Sequence, residues 1–235
     1  MTIHLYRNDL PDGLDLGPVV AIDTETMGLD PRRDRLCLVQ LSSGDGDAHL
    51  VQIAKGQTEA PNLTRMLADP GVLKLFHFGR FDIAAMYRAF GVLTAPVWCT
   101  KIASKMIRTY TDRHGLKYLL SDLVGVDVSK QQQTSDWGAE VLTDAQKEYA
   151  ASDVLHLHAL VAQLRADDER SRQTQARLES LGGPQAQPVS RREARARQQV
   201  EQALAACPRA NTPAGIACRD RVCAPHAGRL ALCPL

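Results

Sequence analysis

Pro18-Val19-Val20-Ala21-Ile22-Asp23-Thr24-Glu25-Thr26 decides how this chain is read. Its first half is an apolar, β-branched run of the kind that forms a buried strand, and its second half places two acids where that strand ends. Strand side chains alternate, so Asp23 and Glu25 share one face. Two carboxylates that close repel and raise each other's pKa unless a cation sits between them. The pair therefore makes most sense as ligands for a hard metal ion. Taken alone, Asp-x-Glu at a strand end is more often a solvated terminus.

Working outward, two more elements carry acids. His77-Phe78-Gly79-Arg80-Phe81-Asp82 follows the strand-like run 72–76 and opens a helical pattern. Tyr149-Ala150-Ala151-Ser152-Asp153 lies inside the helical run 143–165, where i,i+4 spacing stacks phenol and carboxylate on one face. An isolated Tyr-x-x-x-Asp is usually surface and packing. Three such elements in this order, each anchored by an apolar run, point instead to one site holding Asp23, Glu25, Asp82, Tyr149 and Asp153. The acids offer only oxygen ligands, so Mg²⁺ or Mn²⁺ is expected, and two divalent ions can hold the attacking and leaving oxygens of a phosphodiester in line.

Strand-like runs fall at 3–6, 19–23, 36–42, 49–53 and 72–76, three of them in quick succession across Gly/Asp-rich turns such as Ser43-Gly44-Asp45-Gly46-Asp47. Helical runs follow at 60–68, 81–90, 100–107, 116–124 and 143–165. Thr143 is a fitting N-cap, with Gln146 completing a capping box. Strands early and helices late predict a three-layer α/β domain.

Of the 235 residues, 44% are hydrophobic, enough to bury one domain core. The opening Met1-Thr2-Ile3-His4-Leu5-Tyr6-Arg7 lacks a basic-then-apolar leader pattern, and a cytoplasmic location is expected. Cys37 and Cys99 read as reduced core residues. The formal charge of +1 conceals an asymmetry: residues 171–235 hold ten arginines and no lysine against four acids, so the first 170 residues are net acidic. A body of that sign needs metal ions or a local basic patch to hold a polyanion.

Asp-x-Glu, His-x-x-x-x-Asp and Tyr-x-x-x-Asp, in that order, resemble the 3′→5′ exonucleases of the ribonuclease D branch of the ribonuclease H-like superfamily. Gln40-Leu41-Ser42-Ser43-Gly44-Asp45-Gly46, Cys99-Thr100-Lys101-Ile102-Ala103-Ser104-Lys105 and Thr109-Tyr110-Thr111-Asp112-Arg113-His114-Gly115-Leu116-Lys117 are similar to the nanoRNase C group within it. The likeness covers about residues 1–170. It implies a ribonuclease H-like fold with a mixed five-stranded sheet, and hydrolysis of short RNA, dinucleotides above all, to nucleoside 5′-monophosphates. It further implies that Asp23 bridges two ions, that Glu25 and Asp153 complete one site, and that Asp82 reaches the other through water. Tyr149 would orient the attacking water. Leu29 would wedge between bases, although a leucine there also reads as core. His77 and Phe81 would meet the terminal ribose and base, Phe81 being an equally good core residue. Arg108, Arg113, His114, Lys117 and Lys130 with Gln133 suit phosphate oxygens, or form a solvated charged face. The resemblance also implies a homo-oligomeric ring.

From residue 171 the chain departs from that pattern. Gly182-Gly183-Pro184-Gln185-Ala186-Gln187-Pro188 and the Arg/Ala/Pro/Cys stretch after it contain no Phe, Trp or Tyr, and the composition predicts a flexible, divergent tail. Cys207, Cys218, Cys223, His226 and Cys233 lack the short spacing of a zinc site. The atypical tail leaves the ring open to question. Two other readings stand beside the short-RNA exonuclease: trimming of longer RNA or DNA 3′ ends, and a catalytically dead nucleic-acid-binding module. The absence of a helical RNA-binding domain weighs against the first, and the five intact chemical positions weigh against the second.

Overall fold

The structure is a computed structural model and describes residues 1–30, 32–128, 131–180, 191–208 and 212–226. Six strands form one mixed sheet: β1 (Ile3–Arg7), β2 (Val19–Thr26), β3 (Leu36–Ser42), β4 (Ala48–Gln52), β5 (Leu73–Phe76) and β6 (Val97–Cys99). Their order across the sheet is β1-β4-β3-β2-β5-β6. The β2–β3–β4 meander is antiparallel, whereas β1 joins β4, and β5 joins β2 and β6, in parallel. The expected five strands are thus corrected to six. The addition, β6, is only three residues long and follows Pro96, too short to show any period in sequence.

Period two in β2 sorts its residues between two cores. Val20 and Ile22 pack with Phe76, Leu63, Leu67 and Met86 under α1 (Pro61–Ala68) and α2 (Arg80–Phe90). Ala21 faces the other way, onto Leu119, Leu120, Val154, Leu157 and Leu160. After α3 (Thr100–Ile107), those residues belong to α4 (Leu116–Leu119) with its π-helical continuation Leu120–Val124, to α5 (Asp144–Leu155) and to α6 (Leu157–Ser180). Each fully buried Val, Leu, Ile or Phe contributes about 1.5–3 kcal/mol, so the two cores fix the register of the central strand. Asp23 has the parity of Ala21 and therefore looks toward α5.

The run 143–165, read as one helix, is two. Helix α5 ends at His156, whose φ of −104° and ψ of 0° break the ladder before α6 begins. At its other end the capping box is present: the Gln146 amide donates to Thr143 Oγ1 at 3.2 Å, and Thr143 N–H donates to Gln146 Oε1 at 2.9 Å. Helix α1 is capped from far away in sequence. The Asp9 carboxylate accepts from the Asn62 and Leu63 amides at 2.9 and 2.8 Å, supplying what Ala60 at the N-cap lacks.

Lys74, on β5, is fully buried, yet its ammonium donates to the Asp69 and Ala95 carbonyls at 2.6 and 2.7 Å. Burial depresses its pKa.

The chain divides into two compact units, Met1–Thr174 and Gln175–Leu235. Where a loose tail is expected from residue 171, α6 runs on to Ser180, and the second unit carries α7 (Arg191–Ala205) and α8 (Pro213–Cys223). Ala, Arg, Gln and Glu are strong helix formers, and Thr212 caps α8 by accepting from the Gly215 amide at 3.1 Å. A disulfide joins Cys207 to Cys218. Cys37 and Cys99 are free thiols, and burial pushes the Cys37 thiol up to about 11. Cys233 of the candidate zinc set lies outside the described residues. No described helix is long and apolar enough to cross a membrane.

Candidate active site

Three elements deliver the acids. Strand β2 carries Asp23 and Glu25 past the point where β5 has ended its pairing with Ala21, so both side chains stand at an open end of the sheet. Helix α5 lies across that end and presents Tyr149 and Asp153 one turn apart. Helix α2 brings Asp82 in its first turn. One ligand oxygen from each of Asp23, Glu25 and Asp153 falls within 4.8 Å of the others. Asp82 stands beside this trio, fixed by Thr24 Oγ1, which donates to Asp82 Oδ1 at 2.6 Å.

The electrostatics match a cation site. Burial, then the Asp82, Asp153 and Glu25 charges, raise the Asp23 pKa well above the carboxylate range. Burial, then Asp153 and Asp82, push Glu25 up to about 8. Burial raises Asp82 to about 6 against the opposing Thr24 hydrogen bond. Groups that repel one another this strongly, with oxygen donors only, fit one or more hard divalent ions. Burial followed by the Asp153, Glu25 and Asp23 charges drives the Tyr149 phenol far above its usual value. Tyr149 is therefore a fixed hydroxyl at neutral pH, not a base. Its ring leans on the buried Trp137 with centroids 6.0 Å apart.

A cleft of about 610 Å³ opens over these groups. Asp23, Glu25, Asp82, Tyr149 and Asp153 line it, as do Leu29, His77, Phe81, Lys117 and Gln133. Leu29 is 86% exposed, so it is not a core residue. His77 Nδ1 lies 2.8 Å from Thr100 Oγ1, and that hydroxyl spends its own proton on the Phe76 carbonyl at 3.2 Å. Nδ1 is accordingly the donor, and Nε2 keeps its lone pair. Burial and Lys101 lower the His77 pKa to about 4, so the ring stays neutral.

Other predicted contacts lie elsewhere. Arg108 does not line the cleft: it is buried, with Nη2 3.0 Å from Asp122 Oδ2. Arg113 pairs with the same carboxylate at 3.4 Å and stacks on Tyr118. His114 is buried, with Nδ1 2.9 Å from Ser104 Oγ. Lys130 lies outside the described residues. Phe78, Arg80 and Lys101, which sequence reading passed over as contacts, do line the cleft. Their signal was present, since each sits within three residues of the His77–Asp82 motif or the Cys99-Thr100 turn.

The 3′-5′ exonuclease family matches residues 8–167. The chain belongs to that family. Ribonuclease D of Granulibacter bethesdensis is 38% identical over 148 residues, which are 63% of this chain and 37% of the relative. The chain thus spans about two fifths of the length of the curated relatives it matches. Among solved structures, Brucella melitensis NrnC bound to pGG is 58% identical with a TM-score of 0.70, covering 75% of this chain and 86% of that one. Brucella melitensis NrnC with bound Mg²⁺ is 50% identical at a TM-score of 0.70, covering 81% of this chain and 100% of the other.

Proposed function

We propose that the protein is a metal-dependent 3′→5′ exoribonuclease that hydrolyses short oligoribonucleotides, dinucleotides above all, to nucleoside 5′-monophosphates. The observation that carries this reading is the convergence of Asp23, Glu25 and Asp153 beneath an open cleft that also holds Tyr149 and Asp82. The likeness to a Brucella protein solved with pGG, and with Mg²⁺, supports both the substrate class and the ion.

Asp23, Glu25 and Asp153 would hold the divalent ions, with Asp82 contributing from the Thr24 side. Bound there, divalent ions supply Lewis-acid stabilisation of the charge that builds on the phosphoryl oxygens. Tyr149, protonated and rigid against Trp137, orients the attacking water through its hydroxyl. His77 Nε2 accepts from a hydroxyl of the terminal ribose. Leu29 and Phe81 offer apolar surface to the bases, and Leu29 is placed to part them. Gln133 and Lys117 serve phosphate oxygens. We also propose that the first unit is the exonuclease domain and that the working form is a homo-oligomer in the cytoplasm.

Timed digestion of end-labelled RNAs of two to about ten nucleotides, with Mg²⁺, Mn²⁺ or excess EDTA, tests this reading. The expected result is fastest loss of the dinucleotide, with 5′-monophosphate product and no turnover in EDTA. Activity that persists in EDTA overturns the metal-dependent reading. Equal rates on every length favour general 3′-end trimming.

A further inference from the structure

In the middle of β3, Gln40 is fully buried, and neither its side-chain nitrogen nor its oxygen has a hydrogen-bond partner among the described residues. An amide sealed from water without a partner costs about 1–3 kcal/mol. The other glutamine and the serine on the same face of β3 and β4 turn elsewhere. Ser42 Oγ donates to the Asp47 carbonyl at 2.7 Å, and the Gln52 side-chain amide donates to the Ala139 carbonyl at 2.8 Å.

Strand register gives this amide one neighbour of matching chemistry. Gln40 lies directly opposite Asp23 in the antiparallel β2–β3 pair, and opposite Leu50 on its other side. Directly paired residues share a sheet face with their Cβ atoms about 5 Å apart, so Gln40 stands beside the Asp23 carboxyl on the face that α5 covers. Around them that face is apolar, with Ala21, Leu38, Leu50, Ala150 and Ala151 all fully buried. Asp23 in turn is short of donors: a backbone hydrogen bond at Thr24 opposes the repulsion of three neighbouring acids. The cleft is lined by Asp23 but not by Gln40, which places the amide behind the carboxyl rather than in front of it. Carboxylates that hold a metal ion are themselves hydrogen-bonded by the residues behind them, which fixes their orientation.

We propose that Gln40 is a positioning residue of the metal site, whose side-chain amide donates to the Asp23 carboxylate when divalent ions are bound and holds it in the orientation that grips them. The inference rests on the metal-dependent exonuclease reading and adds a residue to that site. It also gives the buried amide a use: the cost of leaving it unpaired in the metal-free protein is recovered when Asp23 turns to its ligands, so Gln40 favours the metal-bound form.

The test is calorimetric titration of the full chain with Mn²⁺, with Tm in EDTA measured alongside, in wild type, Gln40→Met and Gln52→Met. Methionine fills the volume of glutamine without its amide. Gln40→Met is expected to weaken Mn²⁺ binding roughly tenfold to hundredfold. Its Tm in EDTA should match or exceed that of wild type, because an unpaired buried amide has been replaced by an apolar group of similar shape. A merely structural amide would do the reverse, lowering Tm and leaving Mn²⁺ affinity alone. Gln52→Met, which removes a bond to Ala139 on the same face, should lower Tm and keep wild-type Mn²⁺ affinity. Dinucleotide turnover by Gln40→Met should fall at limiting Mn²⁺ and recover as Mn²⁺ is raised. Unchanged Mn²⁺ affinity in Gln40→Met overturns the proposal, as does a lowered Tm in EDTA, a failure of that variant to fold, or an equal loss of affinity in Gln52→Met. The two readings fail separately. A wild type that binds Mn²⁺ without cutting a dinucleotide overturns the exonuclease reading, while the calorimetry still decides the role of Gln40. A wild type that does not bind Mn²⁺ overturns both.

Discussion

Asp23 and Glu25 show what a single strand end can store. Each carboxyl binds its proton more tightly in the folded protein than in the unfolded chain, because burial and neighbouring acids raise its pKa. The sign follows directly. Stability from such a group is complete below the unfolded value of about 4.3 and is lost as pH climbs through the folded value, about 8 for Glu25. In EDTA the Tm should therefore fall between pH 5 and pH 8, and added Mg²⁺ should raise it more at pH 8 than at pH 6. Differential scanning calorimetry reads this directly, and a Mg²⁺ shift independent of pH would mean that the acids do not bind the ion. Tyr149 poses a separate question at the same scale. Tyr149→Phe keeps the packing on Trp137 and loses only the hydroxyl, so kcat should drop by roughly 10² to 10⁴ while the Mg²⁺ dependence of Tm stays as in wild type. Wild-type kcat in that variant would make the tyrosine a packing residue.

Among elements, the legible ones were those whose period is local. Asp23 and Glu25 share a face because strands alternate, and Tyr149 and Asp153 share one because four residues make a helical turn; neither needs knowledge of the rest of the molecule. The Thr143–Gln146 capping box was equally readable. Strand β6 was not, since three residues after a proline carry no period, and neither was the break at His156, which lies inside an unbroken helical pattern. Arg108 resembled a phosphate ligand until Asp122, fourteen residues on, took its charge. Phe78 could not be read at all: its left-handed φ of +66° is imposed by the meeting of β5, α2 and Cys99. Helix α1 makes the same point through its cap. Asp9→Ala removes two bonds to the first turn, which should cost about 1–2 kcal/mol, or roughly 2–8 °C in Tm for a chain of this size. Since α1 packs on the sheet face opposite Asp23, Glu25 and Asp153, and does not carry Asp82, kcat/KM on a dinucleotide should not move. A loss of activity matching the loss of Tm would show that the two faces are coupled.

At the scale of the whole molecule, charge separates the two units. The second unit, residues 175–235, carries nine arginines against four acids, while the family match ends at residue 167. A protein ending at Thr174 should still cut dinucleotides and lose affinity for seven-nucleotide RNA, with the salt slope of that binding flattened. Electrophoretic binding at 50 and 200 mM salt, alongside dinucleotide kinetics, would decide it. An unchanged salt slope would leave the arginines without a role in holding RNA.

Lys74 offers the experimenter something separate from catalysis. Acylating reagents modify amines they can reach, and Lys55, Lys105 and Lys117 are open to them, whereas the Lys74 amine is sealed between the carbonyls of Asp69 and Ala95 beside the sheet. Pulse labelling followed by peptide mass spectrometry would leave Lys74 blank until β5 comes away from its neighbours. The fraction labelled at Lys74 would then clock opening of the sheet at β5, one strand in from the β6 edge, without any introduced probe and with the exposed lysines as internal standards.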